Sequence, residues 1–304
     1  MISPLVIAHI SDLHALSLKG VSPFAFLSHK RLGGAANLLL KRRSKHPLRL
    51  FEALVEDLNR VAPDHVVCTG DLVNLSLDAE FAQARALLDR LTLGTSGVTV
   101  VPGNHDIYIW ASERRKSFAN AIGPYASSDG ESVPDFPLVR RRAGVSIVGI
   151  SAARPSPVPF ADGRIGAAQL ARVEAALAEL KDTFRVVLIH HPPFDNRHAF
   201  LRGLRDRAEL QAVLARVGAD LVLHGHEHRD LRTTLAGPAG PIPVIGVGSG
   251  TYDDPRPERR ARYNLIRIEG RAFTVETRVH DAATNRFVAV ADPAVVAGAL
   301  AATP

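Results

Sequence analysis

The chain has 304 residues, 46% of them hydrophobic and 22% charged, which fits one large globular domain and excludes disordered and fibrous classes. Its single cysteine, Cys68, rules out an internal disulfide framework and thiolate-built zinc sites, so a metal here would need His, Asp, Glu or Asn; there are 13 histidines. The net charge of +6 is uneven: Leu13 to Phe51 holds no Asp or Glu, whereas Lys19, Lys30, Arg31, Lys41, Arg42, Arg43, Lys45 and Arg49 give it +8 and leave the remainder at −2.

The first apolar run, Leu5 to Ile10, reads as a strand. It lacks the basic start and small-residue cleavage site of a signal peptide, and no run reaches the roughly 18 apolar residues of a membrane span, so a cytoplasmic location is expected. In the acid-free stretch after it, Phe24, Phe26, Leu27, Leu32, Leu38, Leu39 and Leu40 interleave with the cations, the composition of an interfacial lid near anionic lipid or of a solvated loop packed by leucines. Phe51, Leu54, Val55 and Leu58 then mark a helix stopped by Pro63. Strands at His65–Thr69, Val98–Val101, Val145–Ile150, Arg185–Ile189 and Asp220–Leu223 alternate with helices. The apolar faces of those helices are Phe81, Leu88 and Leu91, then Leu170, Val173, Leu177 and Leu180, then Leu210, Val213, Leu214 and Val217, the last closed by Gly218. Beyond residue 240 the strands Pro243–Val247, Tyr263–Ile268 and Phe273–Val279 come without helices between them, as in a β-meander. An Ala-rich end, Asp292 to Pro304, closes the chain.

The residues just past each strand carry the chemistry. Asp12 and His14 come after the first, Gly70 and Asp71 after the second, Gly103 to Asp106 after the third, His190 and His191 after the Arg185 strand, and His224 to His228 after the Asp220 strand. Ligands of open α/β sheets bind at the carboxyl ends of strands, so these groups can converge from across the chain. Each piece alone is a common turn, and single histidines such as His65 and His280 read as structural, but five strand ends bearing metal-ligand residues point to a metal site. Gly246, Gly248 and Gly250 do not form a dinucleotide loop, and Cys68 reads as buried packing.

In order, Asp12-x-His14, Gly70-Asp71-x-x-Asn74, Gly103-Asn104-His105-Asp106, His190 and Gly225-His226-x-His228 make the sequence resemble the calcineurin-like binuclear metallophosphoesterases, nearest in flavour to bacterial cyclic-nucleotide and glycerophosphodiester phosphodiesterases. The resemblance implies an α+β (α-β sandwich) fold of two mixed β-sheets flanked by helices. Residues 1–285 would form the catalytic domain, with 13–51 as a basic, apolar insert or lid and 286–304 as a C-terminal tail. It implies two divalent metal ions, of manganese, iron or zinc. Asp12, His14 and His228 would hold one, Asn104, His190 and His226 the other, and Asp71 would bridge both, so that a bridging hydroxide attacks phosphorus in line. His105 would donate to a phosphoryl oxygen or the leaving alkoxide, with Asp106 orienting its ring. His190 is taken over its neighbour His191 because related His-His-Pro-Pro stretches use the first, and His224 is read as structural.

The expected activity is a phosphodiesterase on a small-molecule phosphodiester. A diphosphatase of nucleotide-linked lipid precursors is the alternative, favoured by the basic insert through contact of residues 19–49 with an anionic membrane, at the inner membrane face. Relatives of that kind often carry Arg where His105 stands, and Asn74 stands where many family members carry Asp. A scaffold or nucleic-acid-binding protein with a degenerate site is opposed by the complete ligand set.

Overall fold

The computed structural model describes residues 4–16, 21, 31, 45–195 and 199–290. Lys19, Lys30, Lys41, Arg42 and Arg43, the apolar residues 24–40 between them, and the Ala-rich end lie outside the described residues. Two six-stranded mixed sheets form the centre. The first has β1 (Leu5–Ile10), β2 (His65–Cys68) and β3 (Val98–Val100) parallel, continued by antiparallel β10 (Arg262–Glu269), β11 (Ala272–Asp281) and β12 (Arg286–Ala289). The second has β5 (Val145–Gly149), β6 (Phe184–Leu188), β7 (Leu221–His224) and β9 (Ile242–Gly246) parallel, edged by antiparallel β4 (Leu138–Arg142) and β8 (Leu231–Leu235).

The parallel strands are mostly apolar because both of their faces are buried. Ile7, Val67, Ile147, Val186, Leu188, Leu223 and Ile245 fill the layer between the sheets. On the outer face of the first sheet, Ile10, Val66 and Val100 pack with Phe51, Leu54 and Leu58 of α1 (Leu48–Val61) and Phe81 and Leu88 of α2 (Asp78–Leu88). Short helices α3 (Trp110–Arg114) and α4 (Ser117–Ile122) come after β3. On the outer face of the second sheet, Val148, Val187 and Val222 pack with Leu170, Val173 and Leu177 of α5 (Ala167–Glu179) and, past α6 (Ala199–Arg202), with Leu210 and Leu214 of α7 (Arg207–Val217). The sandwich expected from the resemblance is the fold observed. Among the described residues no helix is long and apolar enough to cross a membrane.

One expectation changes. The strand at Pro243 does not join the terminal meander: it runs parallel to β7 in the second sheet, and the meander is β10-β11-β12. Arg286–Ala289, at the start of the expected tail, pairs with β11 and buries Phe287. The described cations of the insert are engaged within the protein. Buried Arg31 donates to the carbonyls of Leu75 and Ser76 at 3.0 and 2.6 Å, Lys45 lies 3.8 Å from Asp254, and Arg49 pairs with Asp253. Leu48 to Phe51 is already helix α1.

The loop that Arg31 braces is also held by Glu80, whose buried carboxylate accepts the Leu75 and Leu77 N–H groups at 2.9 and 3.1 Å. Burial, against those N–H groups, pushes Glu80 up from 4.5 to about 7. A carboxyl whose folded value lies above its unfolded one loses stability as pH rises between the two, and the loss is complete above the higher value. Glu80→Gln, which keeps an acceptor and cannot ionise, should therefore gain roughly 1–3 kcal/mol relative to the wild type between pH 4 and pH 8.5. Urea melts of both proteins at the two pH values check this; a difference that does not change with pH would contradict it.

Candidate metal centre

The carboxyl ends of β1, β2, β3, β6 and β7 meet at one edge of the sandwich, where the two sheets are cross-linked. The His190 ring donates from Nδ1 to Thr69 O at 2.7 Å, the His226 N–H donates to Asp12 Oδ2 at 3.0 Å, and Ser249 Oγ donates to Asp12 O at 2.6 Å. The strand-end turns are tight. Asp12, His14, Asp71, His226 and His228 all take left-handed backbone conformations, with φ of 54, 47, 55, 71 and 52°. Gly103 and Gly225 are required by contact: a Cβ on Gly103 would lie 2.2 Å from Asp71 Oδ1, and one on Gly225 would lie 2.6 Å from Asp12 Oδ2.

All seven expected ligands come together. His14 Nε2 lies 4.0 Å from both Asp12 Oδ1 and Asp71 Oδ2 and 3.3 Å from His228 Nε2, and His228 Nε2 lies 3.1 Å from Asp12 Oδ1. On the other side, His190 Nε2 lies 3.4 Å from Asp71 Oδ2, 3.3 Å from Asn104 Oδ1 and 3.1 Å from His226 Nδ1. Asp71 Oδ2 thus faces both groups, while its Oδ1 accepts the His105 N–H at 2.8 Å.

The chemistry of these donors tests whether the site fits metal ions. His14 Nδ1 faces Val73 O at 3.2 Å and His190 Nδ1 faces Thr69 O; a carbonyl only accepts, so each ring carries its N–H there and presents a lone pair at Nε2. With both rings neutral, Asp71 Oδ2, Asn104 Oδ1 and the Nε2 atoms of His14 and His190 are all acceptors. Acceptors this close repel one another, and a cation among them reverses the sign. The separations match ligands that share a cation at about 2.0–2.2 Å. The field points the same way. Burial lowers His190, but the Asp71 charge overrides it and raises the ring to about 9, so the site draws positive charge to Nε2, a proton when no cation is bound. Burial raises Asp71, yet His190 and then His105 hold it well below the usual carboxylate range. The residues fit divalent metal ions.

His105 lies beside this cluster, with one ring nitrogen within 4.8 Å of ligand atoms of His14 and Asp71, and stacks on Tyr108 at 5.3 Å between centroids. Asp106 does not orient it. Its carboxylate is turned to the Gly103 and Val73 N–H groups at 2.9 and 3.2 Å, and burial, with repulsion from Asp71 second, pushes it up to about 8. The ring is held instead by Asn74, whose carbonyl accepts from His105 Nδ1 at 2.6 Å. Asn74 also donates from Nδ2 to the His14 and Ala15 carbonyls at 2.7 and 3.3 Å, tying two strand ends together.

His191 turns Nε2 to Ala161 O at 3.1 Å while its ring lies 4.6 Å from that of His226, and burial, with His190 second, lowers it to about 3. His224 is buried against Phe194, Cys68 is buried, and His65 and His280 bond Thr99 and Asn285. Sequence reasoning missed His46, which is buried beside His14 and His228.

An α-β sandwich whose strand ends gather His, Asp and Asn acceptors around one shared carboxylate defines a class of metal-binding protein. The family model of the calcineurin-like phosphoesterases matches residues 5–230, and the chain belongs to that family. It is 27% identical over 195 residues to the glycerophosphodiester phosphodiesterase GpdQ of Enterobacter lignolyticus (strain SCF1), a match covering 62% of this chain and 57% of that relative, little over half its length. Among solved structures, a dimetal phosphatase from Danio rerio is similar at 14% identity with a TM-score of 0.60, over 94% of this chain and 98% of that one. The purple acid phosphatase PPD1 from yellow lupin (Lupinus luteus) seeds is similar at 13% identity with a TM-score of 0.63, over 95% and 53%. Those likenesses show the fold.

Because both Asn74 donors are spent on carbonyls, Asn74→Asp should place an anion against two acceptors and lower unfolding stability by about 1–3 kcal/mol at neutral pH. Urea denaturation of the metal-free protein reads this directly, and an unchanged midpoint would refute the bridging role.

Proposed function

We propose that the protein is a metal-dependent phosphodiesterase acting on small-molecule phosphodiesters. The observation that carries this is Asp71, whose Oδ2 faces His14 on one side and His190 on the other. In this reading Asp12, His14 and His228 hold one divalent cation, Asn104, His190 and His226 hold a second, and Asp71 serves both. The two cations, when bound, supply positive charge for the phosphoryl oxygens and a nucleophile from water near neutral pH. The chain's own residues do the rest. Neutral Asn104 contributes an oxygen without adding negative charge, so the centre keeps its attraction for a phosphodiester anion. His105, with Nδ1 committed to Asn74 O, has only Nε2 to offer a phosphoryl oxygen or a departing alkoxide, and a proton there serves either. Tyr108 and the Asn74 carbonyl fix the plane of that ring. Similarity to GpdQ supports the diester over the nucleotide-diphosphate lipid, and His105 supports it further where lipid-precursor diphosphatases often carry Arg. Activity with added manganese toward bis(p-nitrophenyl) phosphate, cyclic AMP, glycerophosphodiesters and a nucleotide-diphosphate lipid tests the choice. Turnover of the lipid alone would overturn it.

Asp71→Ala should abolish activity and reduce metal content after reconstitution, because the two cations lose the charge that screens them from each other. Elemental analysis beside the assay checks both outcomes; full activity in that variant would sink the two-cation reading. His105→Ala should keep its metal but lose about 10²–10⁴-fold in turnover, more for an alkyl than an aryl diester, because an aryl oxide leaves without a proton. Equal losses on the two substrates would assign His105 to charge stabilisation instead.

A further inference from the structure

His46 belongs to none of the family motifs, yet it stands among their ligands. Its side chain is 7% exposed, and its ring centroid lies 4.7 Å from that of His14 and 6.1 Å from that of His228, which are themselves 5.2 Å apart. One ring nitrogen from each of the three lies within 4.8 Å of the others. Imidazoles bound to one cation at about 2.0–2.1 Å place their ring centroids roughly 4.5–6 Å apart for ligand angles from about 90° to 145°. The three observed separations match that span.

Hydrogen bonding fixes which His46 nitrogen can serve. Thr251 Oγ1 has a single proton and gives it to Leu13 O at 2.6 Å, so toward His46 Nδ1, at 2.9 Å, it can only accept. His46 therefore carries its N–H on Nδ1 and keeps a lone pair on Nε2. His14 and His190 are set in the same way by Val73 O and Thr69 O. A second, oxygen-accepted N–H is the usual companion of a metal-bound histidine, because it fixes the ring and raises the basicity of the ligating nitrogen. The backbone around His46 is pinned as well: Asp253 N donates to Lys45 O at 2.7 Å, and Lys45 Nζ lies 3.8 Å from Asp254.

We propose that His46 is a further nitrogen ligand of the cation held by Asp12, His14 and His228, added to those the family motifs supply. This rests on the two-cation reading above, and the test separates the two. The full chain, stripped by chelation, is titrated with manganese and with cobalt as wild type, His46→Ala and His46→Gln. The wild type should take up two cations. Both variants should keep one at wild-type affinity, bind the other at least about tenfold more weakly, and show an altered visible spectrum when loaded with cobalt. Two cations bound at unchanged affinity with an unchanged cobalt spectrum would overturn the role of His46 and leave the two-cation reading standing, even if the metal-free melting temperature fell. A wild type that takes up no metal would overturn that reading and this inference together. Should metal-free His46→Ala melt early, His46→Gln, which retains a polar side chain at that position, decides the matter.

Discussion

Oxygen and nitrogen lone pairs that face one another across 3.3–4.0 Å around Asp71, and call for a proton or a metal cation between them, are the constraint on which the rest of the structure depends. No arrangement of neutral dipoles holds such a cluster together, so it must be enforced from outside. Five residues of the cluster sit in left-handed backbone conformations, each costing about 1–3 kcal/mol for a residue with a side chain. The turns persist because their amides are over-determined: Asp12 N donates to Gly70 O at 2.9 Å, His14 N to Asp71 O at 3.0 Å and Ala15 N to Leu72 O at 2.7 Å. These bonds join the end of β1 to the end of β2 beyond the sheet itself. Strands buried on both faces supply the rigidity behind them.

Much of this is legible in the sequence when each apolar run is read together with the residues at its carboxyl end. Leu5–Ile10 ends in Asp12 and His14, and the structure puts both at the shared centre, as it does for the residues after β2, β3, β6 and β7. The edge strands are harder to read. β4 is Leu-Val-Arg-Arg-Arg, which looks like a solvated charge run, yet Arg140 is buried and donates to the carbonyls of Thr95, Pro124, Ser127 and Val98. β8, Leu-Arg-Thr-Thr-Leu, lies at the other edge, half-buried along its length, where neither alternation nor continuous apolarity is required.

Within the site, what escapes the sequence is the work of backbone atoms. Asp106 looks like a partner for the neighbouring His105 ring, but its carboxylate braces the Gly103 turn, and a backbone carbonyl of Asn74 takes the ring instead. Carbonyl oxygens are invisible to motif reading, since every residue has one. His46 escapes for a related reason: its place depends on the loop after β9, where Thr251 receives it, and nothing in the spacing of residues 46 and 251 announces that contact.

The preference for carbonyl and hydroxyl partners has a consequence for the charge of the centre. A carboxylate behind each histidine would also fix the tautomer, but it would add negative charge to a site that already contains Asp12 and Asp71 and must attract an anionic ester. Val73 O, Thr69 O and Thr251 Oγ1 set the Nδ1 side of His14, His190 and His46, and so which nitrogen of each would serve the proposed cations, while adding no net charge. Neutral Asn104 obeys the same logic, contributing an oxygen where an aspartate would contribute an anion. With two carboxylates, Asp12 and Asp71, in the proposed ligand set, two divalent cations leave the centre net positive. In the proposed function that positive charge is what would hold a phosphodiester, which carries a single negative charge and binds more weakly than a monoester to any site that relies on charge alone.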